Sequence, residues 1–214
     1  LAVHSGSRRV GVEVAGRYMQ LASAQAAGSP KGKGAFEEAP LSGGLLSDYL
    51  SDLEGACAYA EASRRAMLRL ICGGMRWKME SVLSVVHNYV DCSDTVPILR
   101  KGAISAKAGE PVAIPINMRD GILLGTGKGN PNWNCSAPHG SGRIMKREDV
   151  KSSFTVSSFK SVMKGIYSSC INKDTLDEAP FAYRSMDNIL DVIQDTVDIT
   201  NVLRPVYNFK AGEK

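Results

Sequence analysis

The spacing of the apolar residues changes near residue 75, and this change most constrains the fold. Between residues 46 and 71 the apolar residues recur at helical spacing, and Gly73-Gly74 provides a stop signal. Between residues 79 and 122 they form short Val- and Ile-rich runs broken by glycine and proline, a pattern typical of strands. Because strands and helices do not alternate regularly, we predict an α+β fold with a mixed β-sheet core and flanking helices.

Apolar spacing also predicts the elements outside these two regions. The stretch at 24–44 lacks an apolar period and is expected to be a mobile surface loop. The remaining predicted elements are a strand at Leu1–Val3, a helix over Val10–Leu21, helices near 159–167 and 186–197, and a final strand over Val202–Phe209.

Length and composition set the class of the protein. The chain has 214 residues, 43% of them hydrophobic, and no evident linker, so we expect one domain spanning residues 1–214. No run approaches the ~18 apolar residues of a membrane span, and nothing resembles a signal peptide, so we expect a soluble, cytoplasmic protein. The chain begins on Leu1 without an initiator methionine, which suggests the remainder of a longer, N-terminally truncated protein.

The cysteines and the net charge do not identify a class of function. The five cysteines are widely spaced and contain no Cys-x-x-Cys pair, so neither a disulfide framework nor a zinc knuckle is indicated. The net charge of +4 is compatible with phosphate-rich partners but does not identify one.

The segment Ser136–Arg143 carries the strongest local signal for chemistry. It contains His139, one of only three histidines, between Pro138 and a glycine-rich turn that ends in Arg143. Glycines allow the backbone to approach a ligand closely, and arginine is a permanent planar cation suited to phosphate. We interpret the segment as a nucleophile held against a phosphate.

Other motifs have structural explanations that compete with functional ones. The glycine-rich run at 121–130 fits neither a P-loop nor a dinucleotide fingerprint, so a strand-connecting turn is favoured. His4 and His87 could each be satisfied core histidines or metal ligands. The acidic pair Asp177-Glu178 is interpreted as solvated and structural.

Short basic and acidic runs elsewhere also have structural explanations. Arg8-Arg9 and Arg64-Arg65 could contact nucleic acid, although a solvated helix face is the simpler explanation. Asp91 and Asp94 are likewise interpreted as solvated acids. Lys210 ends a predicted strand and stays a candidate ligand contact.

Taken together, five motifs in a fixed order resemble the RtcB family of RNA-splicing ligases across nearly the whole chain. The block around His139 is the most specific of them, and the shared order makes the others persuasive. The motifs are His4–Arg8, His87-Asn88, Arg100–Ala103, Ser136–Arg143 and Asp177–Pro180 with Tyr183.

The resemblance implies a chemical mechanism. In that family GTP reacts with a histidine to give a phosphoramidate-linked GMP, which passes to an RNA 3′-phosphate and is displaced by an RNA 5′-hydroxyl. His139 matches that nucleophile. Family members also hold two Mn²⁺ ions with an Asp, a bridging Cys and three His, of which His4 and His87 match two, while the other ligands lie upstream in relatives.

The resemblance also implies a GTP pocket. Relatives read Gly-Ser-Met-Gly-Thr where this chain has 116–120, and they place a serine at Ile122, so one guanine hydrogen bond differs. The residues that match or adjoin GTP-contacting positions are His87, Asn88, Pro115, Ile116, Asn117, Met118, Ile122, His139, Gly140, Ser141, Gly142 and Lys210.

These observations leave three functional hypotheses. The first is an RNA ligase that joins 2′,3′-cyclic phosphate or 3′-phosphate ends to 5′-hydroxyl ends, with tRNA halves as a candidate substrate and an archease-like protein as a candidate activator. The second is a noncatalytic nucleotide- or RNA-binding module, because the upstream metal ligands are missing from this chain. The third is a related guanylyltransferase that acts on something other than spliced RNA.

Overall fold

The computed structural model describes residues 1–7, 9–27 and 39–210 of the chain. It divides into two compact units, residues 1–84 and residues 85–214. Arg8, most of the predicted loop and residues 211–214 lie outside the described residues. The prediction that residues 1–214 belong to one catalytic domain stays a prediction.

The first unit is built on two helices, α1 (Arg9–Ala27) and α2 (Gly43–Met75). Tyr18 of α1 is buried, donates a hydrogen bond to Asp52 at 2.8 Å and meets the ring of Tyr49 edge-on at 5.2 Å. Helix α2 passes through the predicted glycine stop, because its end is made by Arg76 in the left-handed conformation. The predicted strand at Leu1–Val3 is wrong, since those residues have no regular structure.

The second unit contains four small sheets and three short helices. The elements are β1 (Asn88–Asp91), β2 (Ile98–Lys101), β3 (Ala103–Ser105), β4 (Pro111–Asn117), β5 (Gly121–Gly127), β6 (Ser136–Pro138), α3 (Arg147–Ser153), α4 (Val156–Val162), β7 (Tyr167–Ser168), α5 (Met186–Ile193), β8 (Val197–Leu203) and β9 (Tyr207–Asn208). The central sheet is antiparallel in the order β4-β5-β8. The pairs β1-β2 and β3-β6 are also antiparallel, and β7 pairs with β9 in parallel.

The predicted α+β class is confirmed, and two predicted element ends are corrected. The chain turns at Gly165 with φ +93°, so α4 stops before the predicted 167 and Tyr167 begins a strand. Helix α5 ends at Ile193, and Val197 begins β8 instead of closing the helix.

The glycine-rich run forms a strand and not the predicted turn. Strand β5 lies between β4 and β8, and its glycines are required where backbones approach closely. A Cβ on Gly125 would lie 2.5 Å from the Asp198 carbonyl oxygen of β8. The glycines therefore reflect sheet packing, and no phosphate loop forms here.

Two apolar clusters hold the second unit. Inward residues of β4 and β5 alternate with outward ones and pack against α5, with Val112, Ile114 and Leu123 fully buried. The other cluster centres on Phe159 of α4 and includes Met118, the residue after the end of β4. The buried side chain of Met118 consequently anchors the turn after β4 in this cluster.

Candidate active site

His139 directly follows β6, and its ring is fixed by one carbonyl. Its Nδ1 lies 2.6 Å from the oxygen of Gly102. A carbonyl oxygen only accepts hydrogen bonds, so Nδ1 carries the proton. In the neutral imidazole with this tautomer, Nε2 therefore bears the lone pair.

Gly102 joins this histidine to the segment before β1. Its N–H donates to the His87 carbonyl at 2.8 Å and to Asn88 Oδ1 at 3.1 Å. It adopts φ +65°, and a Cβ at this position would lie 3.4 Å from the His139 ring. The rings of His87 and His139 lie 4.4 Å apart at 31°, so the predicted residues His87, Asn88 and His139 form one group.

The loop after His139 packs on the end of β4. Ser141 is 3% exposed and donates to the Ile116 carbonyl at 2.7 Å. A Cβ on Gly140 would lie 3.0 Å from the Pro115 carbonyl oxygen. The structure thus brings together four of the residues that the sequence assigned to one nucleotide pocket.

The departure from the family pattern at 117–120 forms a closed turn. Asn117 Oδ1 accepts hydrogen bonds from the backbone N–H groups of Arg119 and Asp120, both at 2.9 Å. Its amide donates to the Asp120 carboxylate at 2.8 Å. Asn117 therefore stabilises its own turn, as asparagine commonly does.

A cleft of about 1060 Å³ opens in front of His139. One wall is the 139–142 loop, a second is the turn at Asn117, Arg119 and Asp120, and a third is the start of α5 with Ser185 and Asn188. Its volume is in the range of small-molecule sites. The cleft is large enough for a nucleotide and places the imidazole on its wall.

Beside the cleft, three cations and a phenol surround one carboxylate, and we call this the Glu178 cluster. Arg143 and the Tyr183 hydroxyl each donate to Glu178 at 2.6 Å. Lys210 Nζ lies 3.5 Å from the same carboxylate, and Arg147 lies at 3.7 Å. The guanidinium of Arg143 also stacks over the Tyr183 ring at 4.8 Å.

The cluster shifts the acidity of its members. Burial opposes ionisation of Glu178, but the hydrogen bond from Tyr183 and the three cations outweigh it and lower the pKa of that carboxyl. Burial and the adjacent carboxylate raise the pKa of Tyr183 far above its ordinary value. Glu178 is therefore ionised and Tyr183 is a hydrogen-bond donor near neutral pH.

The sequence interpretation of Asp177-Glu178 as solvated acids is wrong. Asp177 is 3% exposed, and its carboxylate pairs with Arg147 at 3.2 Å. Asp91 is also largely buried and pairs with the buried Arg100 at 3.2 Å. A tyrosine five residues after Glu178 and a surplus of arginine nearby were the available signals, but local patterns do not indicate which charges meet.

Ile122 and Lys210 of the second unit do not line the cleft. His4 belongs to the first unit, where it lies in the exposed segment before α1. Ile122 pairs with Pro115 between β5 and β4 and is not among the residues lining the cleft. Lys210 reaches the site through Glu178 and not through the cleft wall.

The assignment of His4 and His87 as metal ligands stays a prediction. Within residues 1–7, 9–27 and 39–210, no three His, Cys, Asp or Glu side chains group closely enough to hold a metal ion. These donors do not fit a complete Mn²⁺ centre, which needs more ligands than two histidines supply.

Among residues 1–7, 9–27 and 39–210, no helix is long and apolar enough to cross a bilayer.

Comparison with known proteins identifies the family of this chain. The family model described as "tRNA-splicing ligase RtcB" matches residues 1–211. The chain belongs to the RtcB family. The family's match includes the His139 loop, the β4 end and the Glu178 cluster.

Individual RtcB relatives match over most of this chain. The RNA-splicing ligase RtcB of Escherichia coli K12 is 27% identical over 96% of this chain and 54% of its own length. The tRNA-splicing ligase RtcB of Aeropyrum pernix is 26% identical over 89% of this chain and 47% of its own length. The chain thus spans about half the length of the curated relatives it matches.

Proposed function

We propose that this chain forms the guanylylated, nucleotide-binding part of an RNA ligase. The enzyme joins RNA 2′,3′-cyclic phosphate or 3′-phosphate ends to 5′-hydroxyl ends, with GTP as the nucleotide substrate. The observation that carries the proposal is the Nδ1 hydrogen bond of His139 to Gly102, which leaves Nε2 as the reactive nitrogen on the wall of the cleft.

The bond changes of the first step follow from this orientation. Nε2 uses its lone pair to form a bond to the α-phosphorus of GTP, while the bond from that phosphorus to the bridging oxygen breaks and pyrophosphate leaves. The proton stays bonded to Nδ1 and is donated to the Gly102 carbonyl, whose dipole stabilises the positive charge that develops on the ring. The residual P–N bond is labile enough to pass GMP onward to an RNA 3′-phosphate, from which the 5′-hydroxyl displaces it.

The remaining residues of the proposed site bind the nucleotide or shape its pocket. Gly140, Ser141 and Gly142 line the cleft directly after the nucleophile and suit close approach of phosphate oxygens. His87 and Asn88 position the nucleophile through Gly102, while Pro115, Ile116 and Met118 shape the wall behind the loop. Lys210 and Arg143 supply positive charge next to the cleft.

We propose manganese only for the complete site that the family resemblance implies, and not for a centre formed by this chain alone. When bound, Mn²⁺ supplies charge stabilisation at phosphorus. His4 and His87 are the proposed ligands within this chain, and no step above depends on them. RNA with tRNA-half ends and an archease-like activator are the proposed partners, and the cytoplasm is the proposed location.

One observation favours a second candidate function for the chain by itself. The absence of a three-donor cluster among the described residues favours a noncatalytic nucleotide- or RNA-binding module. Under this alternative the cleft binds nucleotide, but no GMP is transferred to His139.

Covalent labelling separates the two candidates. We expect the full-length protein to take up label from α-labelled GTP with Mn²⁺, and a His139→Ala variant to take up none. The label should be lost in acid and retained in alkali, as expected for a P–N bond. Ser136→Ala, on the strand that precedes His139, is the matched control and should label normally. Equal labelling of the His139→Ala variant would refute the assignment.

A further inference from the structure

An exposed aromatic patch lies on the parallel pair β7 and β9 and on the residues that flank β9. It consists of Tyr167, Val206, Tyr207 and Phe209, which are 69%, 84%, 50% and 67% exposed. Soluble surfaces expose single apolar residues routinely, but four large ones on and beside one short strand pair are typical of an interaction site.

The patch is ordered, not a loose set of side chains. Strand pairing places Tyr167 opposite Tyr207, and their rings stack at 5.6 Å with 23° between planes. The Tyr207 hydroxyl is joined to Ser169 by a 3.0 Å hydrogen bond. Two parallel, fixed aromatic faces open to solvent are suited to planar ligands, because little side-chain entropy is lost on binding.

The segments that carry the patch have an excess of positive charge in sequence. Between Asp149 and Asp174 the sequence holds four lysines and no acidic residue, and residues 199–210 hold Arg204 and Lys210 and no acidic residue. Lys164 and Arg204 are exposed, and neither takes part in an ion pair among the described residues. An anionic partner complements this surface better than a neutral one.

Strand β9 also links the patch to the candidate active site. Asn208 donates to the Met118 carbonyl at 2.6 Å, next to Asn117 and Arg119 in the cleft wall. Lys210, two residues further, ion-pairs with Glu178. A chain lying across the patch would therefore continue toward the cleft.

We propose that the aromatic patch binds unpaired RNA next to the end that is to be joined. Bases stack on Tyr167, Tyr207 and Phe209, while Lys164 and Arg204 face the phosphates. Aromatic platforms flanked by cations are the general solution for single-stranded nucleic acid. The proposal rests on the proposed ligase function, which supplies the reason for RNA to be there.

The test measures binding of a fluorescent single-stranded RNA ending in a 3′-phosphate, by anisotropy, to the full-length protein. Tyr167→Ala should weaken binding about tenfold, since one base stack is worth roughly that factor. Tyr167→Phe should restore it. Tyr59→Ala, which removes a 54% exposed tyrosine from α2, is the matched control and should bind normally.

Two further arms separate stacking from charge. An abasic oligonucleotide of equal length should bind the wild type and Tyr167→Ala equally, because it has no bases to stack. Arg204→Ala should lower the magnitude of the slope of log affinity against log salt concentration by about one, the value for one phosphate contact. Unchanged RNA binding by Tyr167→Ala, or equal loss with the abasic probe, would overturn the proposal, as would a concentration-dependent dimer that Tyr167→Ala abolishes.

Failure here can be told apart from failure of the proposed function. GMP labelling of His139 needs no RNA, so Tyr167→Ala should label at the wild-type level. Normal labelling with unchanged RNA binding rejects the patch alone. Absent labelling in the wild type with weakened RNA binding in Tyr167→Ala rejects guanylylation and leaves the patch in place.

Discussion

At the scale of single residues, Glu178 holds together groups that otherwise repel one another. Arg143, Arg147 and Lys210 all pair with it, and of these three the neighbouring Asp177 pairs with the two arginines only. Glu178→Gln keeps the shape but removes the charge, and we expect it to lower the free energy of unfolding near neutral pH by about 2 kcal/mol. Denaturant titration measures this. Glu61→Gln breaks an exposed pair with Arg65 and should cost less than about 0.5 kcal/mol.

The same residue predicts a pH dependence with a definite sign. Since folding lowers the pKa of Glu178 below its ordinary 4.5, its contribution is present above that pH and is lost as the pH falls through the lowered value. The stability gap between wild type and Glu178→Gln should therefore shrink in acid. A gap that is constant from neutral to acidic pH would show that charge is not the cause.

At the scale of elements, β5 depends on glycine for its place between two strands. Gly125→Ala puts a methyl group 2.5 Å from the Asp198 carbonyl, so β8 must shift. We expect a loss of about 2 kcal/mol in unfolding free energy, in the range of overpacked cores. Gly55→Ala in α2 meets nothing within 4 Å and should be neutral or stabilising by up to about 1 kcal/mol. Similar effects of the two substitutions would contradict this view of β5.

Local patterns predicted some elements well and others poorly. Helix α2 and strand β4 follow from spacing, because each has one buried face with its own period. Strand β5 was misassigned because its glycines are explained by segments distant in sequence: Gly125 packs against β8, about 70 residues away, and Gly127 against Ala106. The Glu178 cluster was missed for the same reason, since Arg143 and Lys210 come from distant segments. The 139–142 loop was singled out because its signal lies in consecutive residues, and it does line the cleft, while its chemistry stays a prediction.

At the scale of the whole molecule, the described residues place His139 on the wall of a cleft but contain no group of three metal-binding side chains. We therefore expect residues 1–214 alone, with GTP and Mn²⁺, to show no appreciable joining of RNA ends. Gel-based sealing assays measure this, with the full-length protein as the positive control. Robust sealing by residues 1–214 alone would overturn the expectation.

The backbone hydrogen bonds of Gly102 have a consequence for thermodynamic linkage. Its N–H donates to the His87 carbonyl and to Asn88 Oδ1, and its carbonyl accepts from His139 Nδ1, so this one residue connects the His87-Asn88 segment to the His139 ring. A ligand on His87 that shifts Gly102 reorients the imidazole of His139. The coupling free energy between the two binding events is reciprocal, so nucleotide on His139 changes affinity at His87 by the same factor.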